Sequence, residues 1–311
     1  MSQRKVVAIG ANVLDTLICA PVFPNEDTKL KADEIIKCGG GPAATGLVAA
    51  SKLGADCTFL GNLSDDDGGA FLKKDFEKYG VNADHCTVLN GYGSFLSFVV
   101  LSAESKSRTC LFHRGNLPGM VLTDAQKEII KESDLLMVDG NDLEAAIAGA
   151  KLARENGVDV LYDAGGLYEG IEGLLPYANI LIPSYEFATG FTKTDNAEDA
   201  AKKLYETYHP ELVVITDGKN GGYLYDGDKF AHYPAFPVEA VDSNGAGDVF
   251  HGAFAFARVS GSKPMEACIF SSAVSALKCT KVGARDGVPN YQETINFLKE
   301  RGYDEFEKNM D

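Results

Sequence analysis

No window of this 311-residue chain approaches the run of about 18 apolar residues that a membrane-spanning helix needs, so a membrane span is excluded. The stretch from Val6 to Ala20 follows Arg4 and Lys5 as a secretory leader would, but Asn12 and Asp15 interrupt it, and no signal peptide is expected. Paired cysteines are missing too. The seven present (Cys19, Cys38, Cys57, Cys86, Cys110, Cys268 and Cys279) include no Cys-x-x-Cys pair and are odd in number. That excludes a paired zinc-ligand pattern and fits reduced thiols in the cytoplasm. Positive charge is scarce: 29 basic residues face 45 acidic ones, a net charge of −16. Neither nucleic acid nor an anionic membrane surface is therefore expected as the main partner, and the excess acid reads as a solubilising surface. Low-complexity tracts and internal repeats are absent, so the chain reads as an ordinary globular protein.

What is present is an alternation of apolar runs and amphipathic stretches over most of the length. Buried strands are expected at Val6–Gly10, Thr58–Gly61, Leu135–Asp139, Val158–Asp163, Ile180–Pro183 and Leu212–Thr216. Helix ends are readable between them. Asn141 three residues before Glu144 has the form of an N-cap with its reciprocal partner, with Gly157 closing that helix, and Thr123 with Gln126 offers a second start. Strands alternating with helices imply right-handed crossovers and a mostly parallel sheet covered on both faces. Two segments, about 14–38 and 92–115, break the rhythm. The second reads as strands Phe95–Leu101 and Arg108–His113 around a turn at Ser102–Ser107. Flanked by glycines at Gly39–Gly41, Gly91 and Gly93, these segments form either a hinged lid or a plain edge hairpin.

The segment with most chemical content is Asp242-Ser243-Asn244-Gly245-Ala246-Gly247-Asp248, followed at once by the helical run Val249–Val259. Small residues before a helix let the backbone approach a ligand and aim several free N–H groups at it, where the helix dipole also favours an anion. An acidic chain binds a phosphate with such local devices rather than with its overall field. Asp248 would repel that phosphate unless it has a separate task. Phosphoryl transfer supplies one, since a carboxylate can take the proton of the attacking hydroxyl while Gly245, Ala246 and Gly247 form an anion hole. On local pattern alone, Asp248 is equally a favourable first-turn acid beside turn glycines.

This segment resembles the C-terminal signature of the ribokinase-like, PfkB-type carbohydrate kinases, Asp-Thr-x-Gly-Ala-Gly-Asp, with Ser243 for Thr. Cys38–Gly54 resembles the N-terminal Gly-Gly signature and the helix behind it. Gly10 with Asp15, Gly61–Gly69, and Thr216-Asp217-Gly218 with Gly221 resemble further parts, so the likeness runs along nearly the whole chain. The resemblance implies one ribokinase-like domain over residues 1–311: a doubly wound, mostly parallel α/β sheet flanked by helices, with the two irregular segments as a small β lid. It further implies ATP-dependent phosphorylation of a primary hydroxyl of a small sugar, as in ribokinase, fructokinase or ketohexokinase, with Asp248 as general base. Asp15 and the backbone of Gly40 and Gly41 would hold the sugar. Thr216, Asp217, Gly218 and Gly221, with Gly245 and Gly247, would hold ATP. Asp242 and Asn244, with carbonyls near Gly283 and Arg285, match a monovalent-cation site, implying K+ activation. A homodimer through the lid is also implied. Without the family, Asp15 is either a carboxylate at a sheet's ligand-binding end or a turn residue.

Departures accompany the likeness. Ala44 stands where many relatives have a sugar-binding Asn, which puts ribose-like recognition in doubt. Ser184 and Phe187 replace the ends of an Asn-x-x-Glu that supports magnesium, leaving Glu186 either as the substitute Mg2+ ligand or as a surface acid. Arg114 and Asn116, after the second lid strand, are candidates for a substrate anion or hydroxyl, or an exposed edge pair. His251 reads as helix packing. Two other functions stay open: a nucleoside kinase using Tyr92, Phe95 and Phe98 as a stacking site, and a non-catalytic sugar or nucleotide binder.

Overall fold

Short, nearly all-apolar runs such as LLMV, ILIP and LVVIT can bury both faces only inside a helix-covered sheet, and the chain folds to provide one. The computed structural model describes residues 4–105 and 107–307. Its strands are β1 (Lys5–Ile9), β2 (Val13–Ala20), β3 (Glu34–Gly40), β4 (Asp56–Leu60), β5 (Asn62–Ser64), β6 (Val81–Asn82), β7 (Thr87–Leu89), β8 (Leu96–Ser102), β9 (Arg108–His113), β10 (Leu135–Val138), β11 (Asp159–Ala164), β12 (Ile180–Pro183), β13 (Leu212–Thr216), β14 (Gly222–Tyr225) and β15 (Phe230–Tyr233). Its α-helices are α1 (Pro42–Leu53), α2 (Asp67–Lys78), α3 (Asp124–Lys131), α4 (Leu143–Glu155), α5 (Tyr185–Thr192), α6 (Ala197–Tyr208), α7 (Ala246–Val259), α8 (Pro264–Cys279) and α9 (Tyr291–Lys299). Among the described residues no helix is long and apolar enough to cross a membrane.

The main sheet has nine strands in the order β15-β14-β13-β12-β11-β10-β1-β4-β6. It is parallel from β6 to β13, and β14 and β15 add an antiparallel edge that the sequence pattern did not announce. The chain winds outward from β1 to β4 and β6, then returns to β10 on the other side of β1. The strand order therefore reverses at β1, and the crevice beyond the carboxyl ends of β1 and β10 is where such sheets take ligands. Helices α1, α7 and α8 cover one face, and α3 and α4 the other.

The two irregular segments form a second sheet, β3-β2-β8-β9, in which β2 and β8 run parallel and the outer pairs antiparallel. By register, Asp15, Cys38, Ser97 and Phe112 share one face, while Ile18, Ile35, Phe98 and Leu111 share the other.

Helix α3 starts as read, with the reciprocal Thr123–Gln126 pair in place. For α4 the reading needs correction. Asp142, not Asn141, precedes its first turn, and the Asp142 carboxylate accepts the Met120 N–H at 2.9 Å. The glycine hinge is also narrower than expected: Gly39 and Gly40 belong to β3, and only Gly41, at φ +93°, makes the turn into α1.

Candidate active site

Helix α7 begins at the phosphate-type loop. Gly245 adopts φ +74°, and a side chain there would strike Ala284, so glycine is required on both counts. Ala246 N–H is satisfied by the Ser243 carbonyl at 3.2 Å, whereas the amides of Gly247 and Asp248 find no acceptor among the described residues. Two orphan donors at a helix N-terminus, with open space around Gly247, are a ready anion cradle. The cradle opens on a cavity of about 460 Å3. Thr216, Gly218, Gly221 and Gly247 border it, and Tyr233, Phe236 and Phe250 give it apolar walls suited to a flat heteroaromatic base. Asp217 is not part of that wall. It shapes the turn instead, its N–H bonding Gly221 O at 2.8 Å and its carboxylate accepting from Asn220 Nδ2 at 3.1 Å.

Asp248 stands in the first turn of α7, half-buried. Burial raises its pKa from the ordinary carboxylate value, and the negative charges of Asp163, Asp139 and Asp15 add to the rise while His251 opposes it. Beneath it, His251 is buried and ties α7 to the sheet, with Nδ1 2.6 Å from Gly247 O and Nε2 3.0 Å from Ile182 O. Its role as packing is what the sequence suggested, although it also fixes the catalytic-type turn.

Asp15, on β2, is buried beside Gly40, where any side chain would collide with its carboxylate. Ser97 Oγ donates to Asp15 at 2.6 Å, and burial raises the Asp15 pKa. Three groups that sequence reasoning missed hold this corner. Asp139 accepts N–H bonds from Ala11 (2.8 Å), Ala43 (3.0 Å) and Asn141 (2.9 Å), knotting the β1–β2 turn to the start of α1. Arg285, fully buried, donates to Gly40 O at 2.6 Å, to Asn12 Oδ1 at 2.9 Å and to Asp75. Asn12 is left with a buried Nδ2 lacking an acceptor among the described residues. No local pattern marks such residues, because a buried Arg reads in sequence like a surface one. Helices α1 and α7 then bring the two halves together, since Gly46 and Gly252 let their backbones meet without side chains between them.

Residues 3–290 match the family described as pfkB family carbohydrate kinase. The chain belongs to this family. The kinase is 28% identical over 305 residues to a ribokinase of Haemophilus influenzae, covering 96% of the chain and 99% of that protein. A candidate ribokinase structure from Agrobacterium tumefaciens has a TM-score of 0.91 at 28% identity, covering 96% of the chain and 99% of that one. A ribokinase of Arabidopsis thaliana solved with ribose and ATP has a TM-score of 0.84 at 24% identity, again covering 96% and 99%, which is a likeness of fold.

Other expected site residues of the kinase fare differently. Asn116 spends its side-chain oxygen on the Gly93 N–H at 2.7 Å, closing the turn before β8. Arg114 is exposed, its guanidinium over the rings of Phe95 (5.8 Å) and Tyr168 (5.9 Å). Glu186 is exposed on the first turn of α5, where Ser184 caps Phe187 N–H at 3.1 Å and Phe187 enters the core against Phe191. Asp242, expected together with Asn244 as a cation ligand, is already engaged. The Asp242 carboxylate accepts the N–H groups of Asn244 (2.8 Å) and Gly283 (2.9 Å), and Lys278 Nζ lies 3.5 Å away. Phe98, offered as a stacking residue, faces away from Asp15 across the small sheet.

Proposed function

We propose that the kinase transfers the terminal phosphoryl group of ATP to a primary hydroxyl of a small sugar, with Asp248 as general base. The observation that carries this reading is Asp248 beside two unengaged helix amides, close enough to Asp15 for the two carboxylates to feel each other. The apolar cavity past Thr216 and Gly218 takes the nucleotide, and the amides of Gly247 and Asp248 receive the charge that builds on the transferred group. Asp248 takes the hydroxyl proton as the sugar oxygen bonds to phosphorus and the bond to the ADP oxygen breaks. A raised pKa suits a base working near neutrality. Asp15 and the Gly40–Gly41 backbone hold sugar hydroxyls, and the free Nδ2 of Asn12 offers one more donor in place of the group that Ala44 lacks.

Magnesium, when bound, neutralises phosphate charge. Among the described residues no group of three or more His, Cys, Asp or Glu is arranged to hold a metal, so the ion would arrive with the nucleotide, with Glu186 as at most an outer ligand. The small sheet acts as a lid that keeps water, the competing acceptor, from the phosphoryl group. The outer lid face exposes Ile35 (64%), Phe98 (46%) and Leu111 (59%), which supports a homodimer through that face. The seven cysteines are all free thiols, in keeping with a reducing cytoplasm.

The nucleoside-kinase reading loses Phe98 and keeps only Tyr92 and Phe95. ADP release measured with pentoses, hexoses, sugar phosphates and nucleosides tests the assignment. Turnover with a sugar is the expected result; turnover confined to nucleosides replaces the substrate class, and none with any acceptor leaves a binder.

A further inference from the structure

The likeness to the family implies a monovalent cation under the anion loop, and the residues here do not fit one. Lys278, in the last turn of α8, is 0% exposed, and its Nζ donates to the carbonyl of Asp242 at 2.7 Å and lies 3.5 Å from the same residue's Oδ2. The carbonyls expected from Gly283 and Arg285 are also engaged. Gly283 O accepts from Gly287 N–H at 3.1 Å, and Arg285 O accepts from Val288 N–H at 3.3 Å and from Lys52 Nζ at 3.4 Å. A buried ammonium is tolerable only where charge and carbonyl oxygens meet it, and Asp242 supplies both. It would carry the same single positive charge as an alkali cation, on the oxygens that such a cation would use.

We propose that the Lys278 ammonium is a built-in replacement for the monovalent cation, so that the kinase works without potassium. Its charge sits directly under the loop 242–248, near enough to bear on Asp248. Around this loop, Cys279 and Cys19 lie near Asp242, the lid residue Arg108 places Nη1 3.3 Å from both Ser243 O and Oγ, and Asp163, Asp139, Asp15 and His251 face Asp248. A fixed cation there steadies the loop that presents the anion cradle and costs no reorganisation during the reaction. Lys278 is a positioning residue in this account. Its effect on turnover presupposes the activity proposed above, whereas its occupancy of the pocket does not.

The test compares potassium, sodium, ammonium and tetramethylammonium chlorides at equal ionic strength. For the wild-type chain, ADP release and the melting midpoint of the nucleotide-loaded protein are expected to be the same in all four. A saturable gain in rate or midpoint specific to potassium overturns the proposal. Lys278→Ala is expected to lose turnover on the order of a hundredfold, the scale of one preorganised electrostatic contribution. Potassium or ammonium, but not tetramethylammonium, should restore part of it. A loss equal in every salt marks Lys278 as merely structural and also overturns the proposal. If Lys278→Ala does not fold, the wild-type comparison decides. If no acceptor supports turnover, the kinase activity fails and the melting series still decides the cation question.

Discussion

At the scale of residues, the site is a contest of like charges. Asp248, Asp163, Asp139 and Asp15 crowd the carboxyl ends of the central strands, and burial with mutual repulsion lifts Asp248 to about 7. A base must be ionised, so kcat/KM should fall as pH drops through that value, well above the range of an ordinary carboxylate. A pH–rate profile flat down to about pH 5 would contradict this. The same shift has a stability sign. The folded chain holds the Asp248 proton more tightly than the unfolded chain, whose carboxyl ionises near 3.9. This group's contribution is therefore fully present below about pH 4 and is lost as pH rises through the folded pKa. The proposed base is kept at a cost in stability that removal of its charge would relieve.

At the scale of elements, glycine decides how closely α1 and α7 approach. A methyl group at Gly252 would run into the backbone of Gly46, so Gly252→Ala should destabilise the fold by about 2 kcal/mol, as overpacking does, and lower the melting midpoint by roughly 3 °C. An unchanged midpoint would show that the helices part freely. The six central parallel strands, the β8–β9 hairpin and the α3 start were legible, because unbroken apolar runs, β-branched alternation and a reciprocal cap are local signals, whereas β2 and β3 read only as one extended segment and the short β6 gave no signal. The β14–β15 edge was not: its residues are only partly buried, and the pairing that makes them strands comes from β13. The loop 245–247 and Asp15 were visible as motifs, but Asp139, Asn12, Arg285 and Lys278 acquire meaning only when distant segments fold over them. Asn141 misled because its neighbour Asp139, fixed by the end of β10, takes its amide and delays the helix.

At the scale of the molecule, the small sheet gives the kinase a candidate lid and a candidate interface. Its outer apolar face should pair two copies, so sedimentation velocity is expected to show a dimer for the native chain and a monomer for Leu111→Lys. A dimer that survives that change would place the interface elsewhere. The proposed chemistry rests on one side chain, and the most direct measurement is steady-state kinetics of Asp248→Asn with the best sugar. Turnover is expected to fall on the order of a hundredfold or more with sugar affinity largely unchanged, the usual scale for a positioned base. Near-normal turnover in that variant would contradict the account.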